Sequence, residues 1–491
     1  MTSVRAGAVR LDSASGRWVL GAMVMGSGVV TLDATVVNIA LPRLGADLDA
    51  GFDGLQWVVT GYTLTLASLI LLGGALGDRF GRRRVFCIGL GWFTVASVMC
   101  AAAPSIGVLV ASRLLQGVGG ALLTPGSLAI ISATFHPDDR ARAVGAWSGF
   151  GGITTAIGPF LGGWLVSAAS WRWIFVINVP LAAAVVLITL RHVPESIDDR
   201  APPSLDVAGA VIGTAGLALT TYALIEQNWP IGVLGIVGLG AFLVVEWRSS
   251  HPMLPLEMFT NHQFSAANAV TFVVYGALGL ILFMIGIVLQ TALGYSPLEA
   301  GASLIPVTAI MLVFSAQAGA LAQRIGPRIP MSVGPAVVAI GLALMVRIDA
   351  GVSYAAGVLP AVIVFGAGLA LTVAPLTATV LAAAEERHAG IASGVNNAVA
   401  RAASLLAVSA LPLLSGIDTR GTVAPDALVR GFHTVAWIAA GACIVGGALS
   451  ALTISDRTLA EAAGAQPLPE PCFHCGLDAT PLTRPVPSRR V

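Results

Sequence analysis

Lysine is absent from this chain of 491 residues, so all 26 of its basic residues are arginine. The nucleotide-binding P-loop depends on a lysine that reaches the phosphates, so its motif cannot occur here. We therefore expect no catalysis by hydrolysis of nucleotides, and any active transport must draw on an ion gradient. Arginine without lysine, together with abundant alanine, glycine and valine, indicates a bacterial genome of high GC content.

Charge of either sign is also scarce, since 10% of the residues are charged and the formal net charge is +1. Soluble domains average roughly 25% charged residues. With 56% hydrophobic residues and a mean hydropathy of +0.86, the composition predicts an all-α polytopic membrane protein. The small net charge argues against a nucleic-acid partner.

Cysteine is rare, and the five cysteines do not form a disulfide framework. Cys472 and Cys475 enclose a histidine in a proline-rich tail, but the tail offers no second pair of metal ligands. We therefore expect no metal site. The composition predicts that residues 456–491 are a disordered cytoplasmic tail.

Long apolar runs dominate the rest of the sequence and predict fourteen membrane spans. The predicted spans are 18–41, 55–76, 85–103, 106–131, 143–168, 173–190, 206–225, 230–247, 266–290, 300–322, 330–347, 355–381, 390–414 and 432–453. Polar linkers divide them into a first half (1–190), a segment with two extra spans (191–263) and a second half (264–455). The predicted architecture is six, two and six spans.

Arginines in the connecting loops predict the orientation of these spans. If the N-terminus is inside, most arginines lie on the cytoplasmic side, which is the rule for membrane proteins. The external side then holds only Arg43, Arg172, Arg347, Arg420 and Arg430. We therefore expect both termini in the cytoplasm of a bacterium and the spans in its cell membrane.

One short loop carries a dense group of arginines and recurs later in the chain. GALGDRFGRRRVF at Gly74–Phe86 joins the second and third spans, and GALAQRIGPRIPM at Gly319–Met331 repeats it half a chain length later. Such a repeat predicts an internal duplication, which is common in transporters. Asp78 in the first copy is replaced by Gln323 in the second. Any function of this acid therefore belongs to the first copy alone.

Charged residues inside the predicted spans are few. Asp33 lies in the first span and Arg113 in the fourth, with Gln116 one helical turn further on. A charge at that depth is costly unless it faces a cavity or a partner, so each is a candidate for function. Arg113 is the first partner to consider for Asp33, although both could be structural. Arginine does not release its proton in proteins, so only the carboxylate could carry one.

Small and polar residues mark two further spans. The fifth span is rich in glycine and contains a proline, a composition suited to helices that approach closely or move, although tight packing alone would also explain it. The thirteenth span carries Asn396, Asn397 and Arg401 at helical spacing. They either line a cavity together with Asn38 or bind neighbouring helices.

Five motifs, in order and at the expected spans, resemble those of the major facilitator superfamily, in particular its fourteen-span drug:proton antiporters of the EmrB/QacA type. The motifs are LDATVVNIALP, GALGDRFGRRR, RLLQGVGGALLTP, GPFLGGWL and WRWIFVINVP. Thr154 departs from this pattern, because the antiporter motif usually opens with glycine. The resemblance covers the chain up to about residue 455 and implies the major facilitator fold.

The resemblance also implies roles for individual residues. Asp33 would handle the proton and substrate, with Arg113 and Gln116 near the proton path. A gate loop between the halves would comprise Gly74, Asp78, Arg79, Gly81, Arg82 and Arg83. The bend of the fifth span would be set by Gly158, Pro159, Gly162 and Gly163.

Together these features predict a proton-driven antiporter, without cofactor, that exports hydrophobic or cationic drugs by alternating access, as a monomer in the lipid membrane. The alternative within transport is a dedicated exporter of one endogenous metabolite or antibiotic. A receptor that transports nothing is the alternative from another class, and the intact Asp33, Arg113 and Asp78 argue against it. The sequence does not identify the substrate.

Overall fold

The computed structural model describes residues 9–198, 201, 204–384, 389–417 and 423–456. These residues form a helical bundle, and the predicted tail, including Cys472 and Cys475, lies outside them apart from its first residue. The α-helices are α1 (Ala14–Leu48), α2 (Phe52–Phe80), α3 (Arg82–Ala102), α4 (Ile106–Thr134), α5 (Pro137–Ala168), α6 (Trp173–Val176), α7 (Asn178–His192), α8 (Val207–Glu226), α9 (Trp229–Arg248), α10 (His262–Thr291), α11 (Pro297–Ser303), α12 (Ile305–Ile325), α13 (Arg328–Met345), α14 (Leu359–Ala382), α15 (Ala389–Ser409), α16 (Leu411–Ser415) and α17 (Pro425–Thr453).

Thirteen helical segments within the described ranges are long and apolar enough to cross a membrane. Each predicted span except the fifth corresponds to one of these segments. The segment for the sixth predicted span consists of α6 and α7 counted together. The fifth predicted span coincides with the 32-residue helix α5, whose apolar part within the described residues is Ile157–Ala168. The structure therefore shows thirteen candidate spans, and α5 is the one that would make fourteen.

Several predicted spans are interrupted near proline. The tenth consists of α11 and α12, and the thirteenth consists of α15 and α16. Pro306 and Pro412 lie in the first turns of α12 and α16. Proline has no N–H to donate to the preceding turn, so a helix that reaches it is readily broken there and restarted.

The same set of helix neighbours occurs twice. In the first set α4 packs against α2 and α3, and α1 packs against α5 and α7. In the second set α14 packs against α12 and α13, and α10 packs against α15 and α17. Helices α8 and α9 pack mainly against each other and have no counterpart in this pattern. Equivalent neighbours agree with the duplication that the repeated loop predicts.

Helices of the two sets meet along α1 with α10, α2 with α15, and α5 with α11. Gln290 Nε2 donates to the carbonyl oxygen of Ile39 at 2.8 Å, and Gln56 Nε2 donates to that of Val408 at 2.8 Å. Both bonds lie far along the helices from the loops at Gly81 and Gly326. At this end of the bundle, therefore, the two sets are joined by hydrogen bonds from side-chain amides to backbone carbonyl groups.

Candidate functional site

The centre of the first helix set holds a charged pair removed from solvent. Arg113 Nη1 of α4 donates to Asp33 Oδ2 of α1 at 2.5 Å. Each side chain is at most 1% exposed. Two charges this deeply buried require mutual pairing and further hydrogen bonds, because the loss of hydration is otherwise not offset.

Amide groups complete the shell of the Asp33 carboxylate. Its Oδ1 accepts hydrogen bonds from Gln116 Nε2 at 2.8 Å and from Asn178 Nδ2 at 3.0 Å. Both amides also donate to Ser97 Oγ, at 2.8 Å from Gln116 and 3.3 Å from Asn178. Four helices, α1, α3, α4 and α7, thus contribute to one polar cluster.

Arg113 is held on its remaining sides as well. Its Nε donates to the carbonyl oxygen of Val58 at 3.1 Å, and its Nη1 also donates to Gln116 Oε1 at 2.5 Å. The guanidinium carbon lies 4.1 Å from the centroid of the Tyr62 ring. A stacked guanidinium over an aromatic face is favourable, particularly without water. The cluster therefore fixes the guanidinium in position beside the Asp33 carboxylate.

Of this cluster the sequence predicts Asp33, Arg113 and Gln116, and the structure brings all three together. Asn178 and Ser97 are not predicted from the sequence. Asn178 lies within the WRWIFVINVP motif, which was a usable signal, whereas nothing distinguishes Ser97 from other serines in apolar spans. Asn178 Oδ1 is buried and accepts no hydrogen bond within the described residues.

The predicted gate loop turns at Gly81, whose φ of +105° favours glycine. Asp78 accepts from Arg82 Nε at 2.8 Å and from its Nη2 at 2.7 Å. Arg83 does not pair with Asp78. Instead, its Nε lies 3.8 Å from Glu195 Oε2, and its Nη1 donates to the carbonyl oxygen of Val193 at 3.0 Å. The loop is therefore tied to the linker that follows α7. Gly74 lies further up α2, where it faces Pro125.

Glu195 also terminates this loop on the α3 side. Its two carboxylate oxygens accept from the backbone N–H groups of Arg83 at 3.0 Å and Arg84 at 3.1 Å. In the second helix set Asp456 accepts from the backbone N–H of Arg328 at 3.0 Å, beside Gly326 with a φ of +89°. Each loop is therefore held by an acidic residue that follows the last helix of its own set. The carboxylate of that residue lies at a helix N-terminus, where a negative charge is favourable.

The glycine-rich face of α5 packs against two helices, α1 and α11. A Cβ atom on Gly158 or Gly162 would collide with Thr35 or Val36 of α1, in the same helix set. A Cβ atom on Gly163 would collide with the carbonyl oxygen of Pro297 in α11, in the other set. Gly301 of α11 in turn lies against the carbonyl oxygen of Pro159. The absent side chains thus permit backbone contact between the two sets.

One residue of the polar stripe on α15 binds a neighbouring helix. Asn396 Nδ2 binds the neighbouring helix α10 through Thr271 Oγ1 at 2.8 Å and Asn268 Oδ1 at 3.1 Å. Asn397 Nδ2 donates to the carbonyl oxygen of Ser393 in its own helix at 3.0 Å. Arg401 has a buried Nε without a hydrogen-bond partner among the described residues, and Asn38 Oδ1 on α1 is in the same condition.

The model of the Major Facilitator Superfamily matches residues 23–408. The chain belongs to this superfamily. A major facilitator relative, the multidrug resistance protein Stp of Mycobacterium tuberculosis, is 36% identical over 76% of this chain and 71% of its own. The tetracenomycin C resistance and export protein of Streptomyces glaucescens is 34% identical over 82% of this chain and 77% of its own.

Solved structures agree on the major facilitator fold. The crystal structure of the peptide transporter POT in complex with sulfate has a TM-score of 0.67 and covers 93% of this chain and 96% of its own. Its sequence identity is 14%, so this likeness supports the fold alone. Family membership confirms the resemblance seen in the sequence motifs and identifies the chain as a transporter, with no enzymatic role.

Proposed function

We propose that this transporter exports hydrophobic and amphipathic drugs or antibiotics in exchange for protons, by alternating access. The observation that carries the proposal is the buried pair of Asp33 and Arg113 within a duplicated bundle. The relatives named above, one a multidrug resistance protein and one a resistance and export protein, support drug export.

The Asp33 cluster supplies the chemistry that coupling requires. An ionised Asp33 is stabilised by three donors, from Arg113, Gln116 and Asn178. Protonation would remove the negative charge and leave Arg113 buried without its counter-ion, a state that costs several kcal/mol unless the helices rearrange. The protonated and ionised cluster therefore favour different packing of α1 and α4, which links a proton to a conformational change.

Within this proposal the chain has fourteen spans in a six, two, six arrangement, with α5 as the fifth. The halves are residues 1–190 and 264–455, and residues 191–263 contribute α8 and α9. The arginine-rich loops lie in the cytoplasm with both termini, and the protein acts as a monomer in the bacterial cell membrane. The division into two halves is supported by the repeated pattern of neighbouring helices and by the acidic residue that holds the loop of each half.

The test is expression in a bacterium whose own drug pumps are deleted, followed by susceptibility to a chemically diverse panel. Protection against several unrelated amphipathic compounds, abolished by a protonophore in efflux assays, is expected. Protection against a single compound would favour the alternative, a dedicated exporter such as the tetracenomycin C relative's name describes. A correctly inserted protein that changes neither susceptibility nor efflux would refute the proposal.

A further inference from the structure

Arg401 is the second arginine placed deep within a span, and its surroundings differ from those of Arg113. It lies in the interior of α15, where that helix packs against α2 of the first set and α10 of the second. Within the described residues it makes no ion pair and no hydrogen bond, and its Nε is buried. Its side chain as a whole retains partial exposure.

A guanidinium stays charged in proteins, so Arg401 cannot relieve its burial by losing a proton. A lone charge at membrane depth costs several kcal/mol and usually marks a substrate or ion pathway. The titratable groups that interact with it are the hydroxyls of Tyr62 on α2 and Tyr275 on α10. Neither is negatively charged at neutral pH. The described part of the chain thus supplies no counter-charge.

Structural roles do not account for this arrangement. Neighbouring helices are joined by other residues, namely Asn396 to α10 and Ser404, whose Oγ donates to the carbonyl oxygen of Tyr275 at 2.9 Å. An arginine kept for packing would be expected to use its five donors on nearby carbonyl groups, as Arg113 does with Val58. Arg401 therefore keeps its donors available between the two helix sets, where transporters of duplicated design hold their substrates.

We propose that Arg401, with Tyr275 beside it on α10, forms a binding site for the acidic group of an aromatic organic acid. The planar guanidinium matches a carboxylate by two parallel hydrogen bonds, and this pairing is stronger away from water. The ring of Tyr275, a partly exposed residue, provides a flat apolar surface for an aromatic body. The inference rests on the proposed function, since it names an anionic class among the exported compounds.

The experiment measures binding to the purified full-length chain in detergent, without transport. The probes are fluorescent anthracene-9-carboxylate and its uncharged analogue anthracene-9-carboxamide, which share the same ring system. The variants are Arg401→Gln, which removes the charge, and Arg401→Lys, which keeps it. Arg347→Gln is the matched control, because it removes an exposed arginine from the same half, in the segment after α13.

We expect the wild type and Arg347→Gln to bind the carboxylate about tenfold or more tightly than the carboxamide. Arg401→Gln is expected to lose that preference while its affinity for the carboxamide stays within about twofold, and Arg401→Lys to recover part of it. Equal affinity of the wild type for both probes would overturn the site. An equal loss of both probes in Arg401→Gln, with Arg401→Lys no better, would likewise overturn it and identify a structural role.

Failure of the site and failure of the proposed function are separate outcomes. A chain that binds the carboxylate through Arg401 but exports no compound of the panel would keep the site and refute drug export. A chain that exports cationic and neutral drugs without any Arg401-dependent preference for the carboxylate would keep drug export and refute the site.

Discussion

Replacing Asp33 by asparagine is the most informative perturbation of this protein. The change keeps the size of the side chain but removes the negative charge beside Arg113 and turns one acceptor oxygen into a donor. Breaking a buried ion pair by removing one partner typically costs 3–5 kcal/mol. Arg113 would retain its bonds to Val58 and Gln116 and its contact with the Tyr62 ring. We therefore expect a loss of about 3 kcal/mol, at the lower end of that range.

This loss of stability must be separated from a loss of coupling. The double variant Asp33→Asn/Arg113→Gln removes both charges, and replacement of a whole buried pair is often close to neutral. We expect the double variant to regain most of the melting temperature that Asp33→Asn loses. It should nevertheless fail to concentrate a cationic dye in everted vesicles, because no carboxylate is left to exchange a proton for the cation. Asp33→Glu should keep part of the activity.

The matched control is Asp49→Asn, the same chemical change at the exposed end of α1. Asp49 has a φ of +48°, a left-handed conformation that asparagine tolerates well, so stability and transport should both be unchanged. The reasoning is refuted if the stable double variant still accumulates the dye against a gradient with the pH dependence of the wild type. In that case the Asp33 pair is structural, and proton coupling resides elsewhere. The first residue to examine is then Glu226, the last residue of α8, which accepts a hydrogen bond from Trp57 Nε1 at 3.3 Å.

Three further predictions follow from the contacts described. Asp78→Asn is expected to stop most transport but to leave membrane insertion intact, because the partly exposed ion pair between Asp78 and Arg82 contributes roughly 1 kcal/mol or less. Normal efflux from a normally expressed variant would exclude the gate role. Gly163→Ala should weaken packing between the halves. It should therefore lower the yield of a disulfide between cysteines introduced at Ser167 and Leu298, where Ser167 Oγ and the Leu298 backbone N lie 3.2 Å apart. An unchanged yield would contradict this. Export of anthracene-9-carboxylate should survive Asp33→Asn and fall when valinomycin and potassium collapse the membrane potential, and insensitivity to the potential would count against it.

Much of the architecture could be predicted from the sequence because long apolar runs and glycine-centred loops are local signals. The duplication was visible in the loops at Gly81 and Gly326, and the structure repeats the helix neighbours around them. Every predicted span except the fifth coincides with an apolar helical segment, and the segment of the sixth consists of α6 and α7. Breaks such as those before α12 and α16 were missed, since the hydropathy of a run continues across a proline.

The site was predicted only where a residue was unusual for its surroundings. Asp33 and Arg113 stand out as charges in apolar spans, so composition alone made them candidates. Ser97 and Asn178 are ordinary residues whose importance arises from the convergence of α3 and α7 on one point, and no local pattern encodes that. Glu195 was hidden in a polar linker, where an acid is unremarkable until the N-terminus of α3 is found against it.

If the two proposals hold, the two arginines within spans, Arg113 and Arg401, imply different driving forces for different substrates. A cation near Asp33 competes with a proton for the same negative charge, so binding of one disfavours the other, and this negative linkage is what exchange requires. An anion at Arg401 enters no such competition, because it carries the same sign of charge as the Asp33 carboxylate and does not replace a proton on it. It therefore cannot use Asp33 for exchange. It has no need to, since a potential of 100 mV, negative inside, favours outward movement of each negative charge by about 2.3 kcal/mol. Under these proposals, cations would need the Asp33 carboxylate to leave the cell against that potential, whereas acids would need only the Arg401 guanidinium to hold them within the membrane.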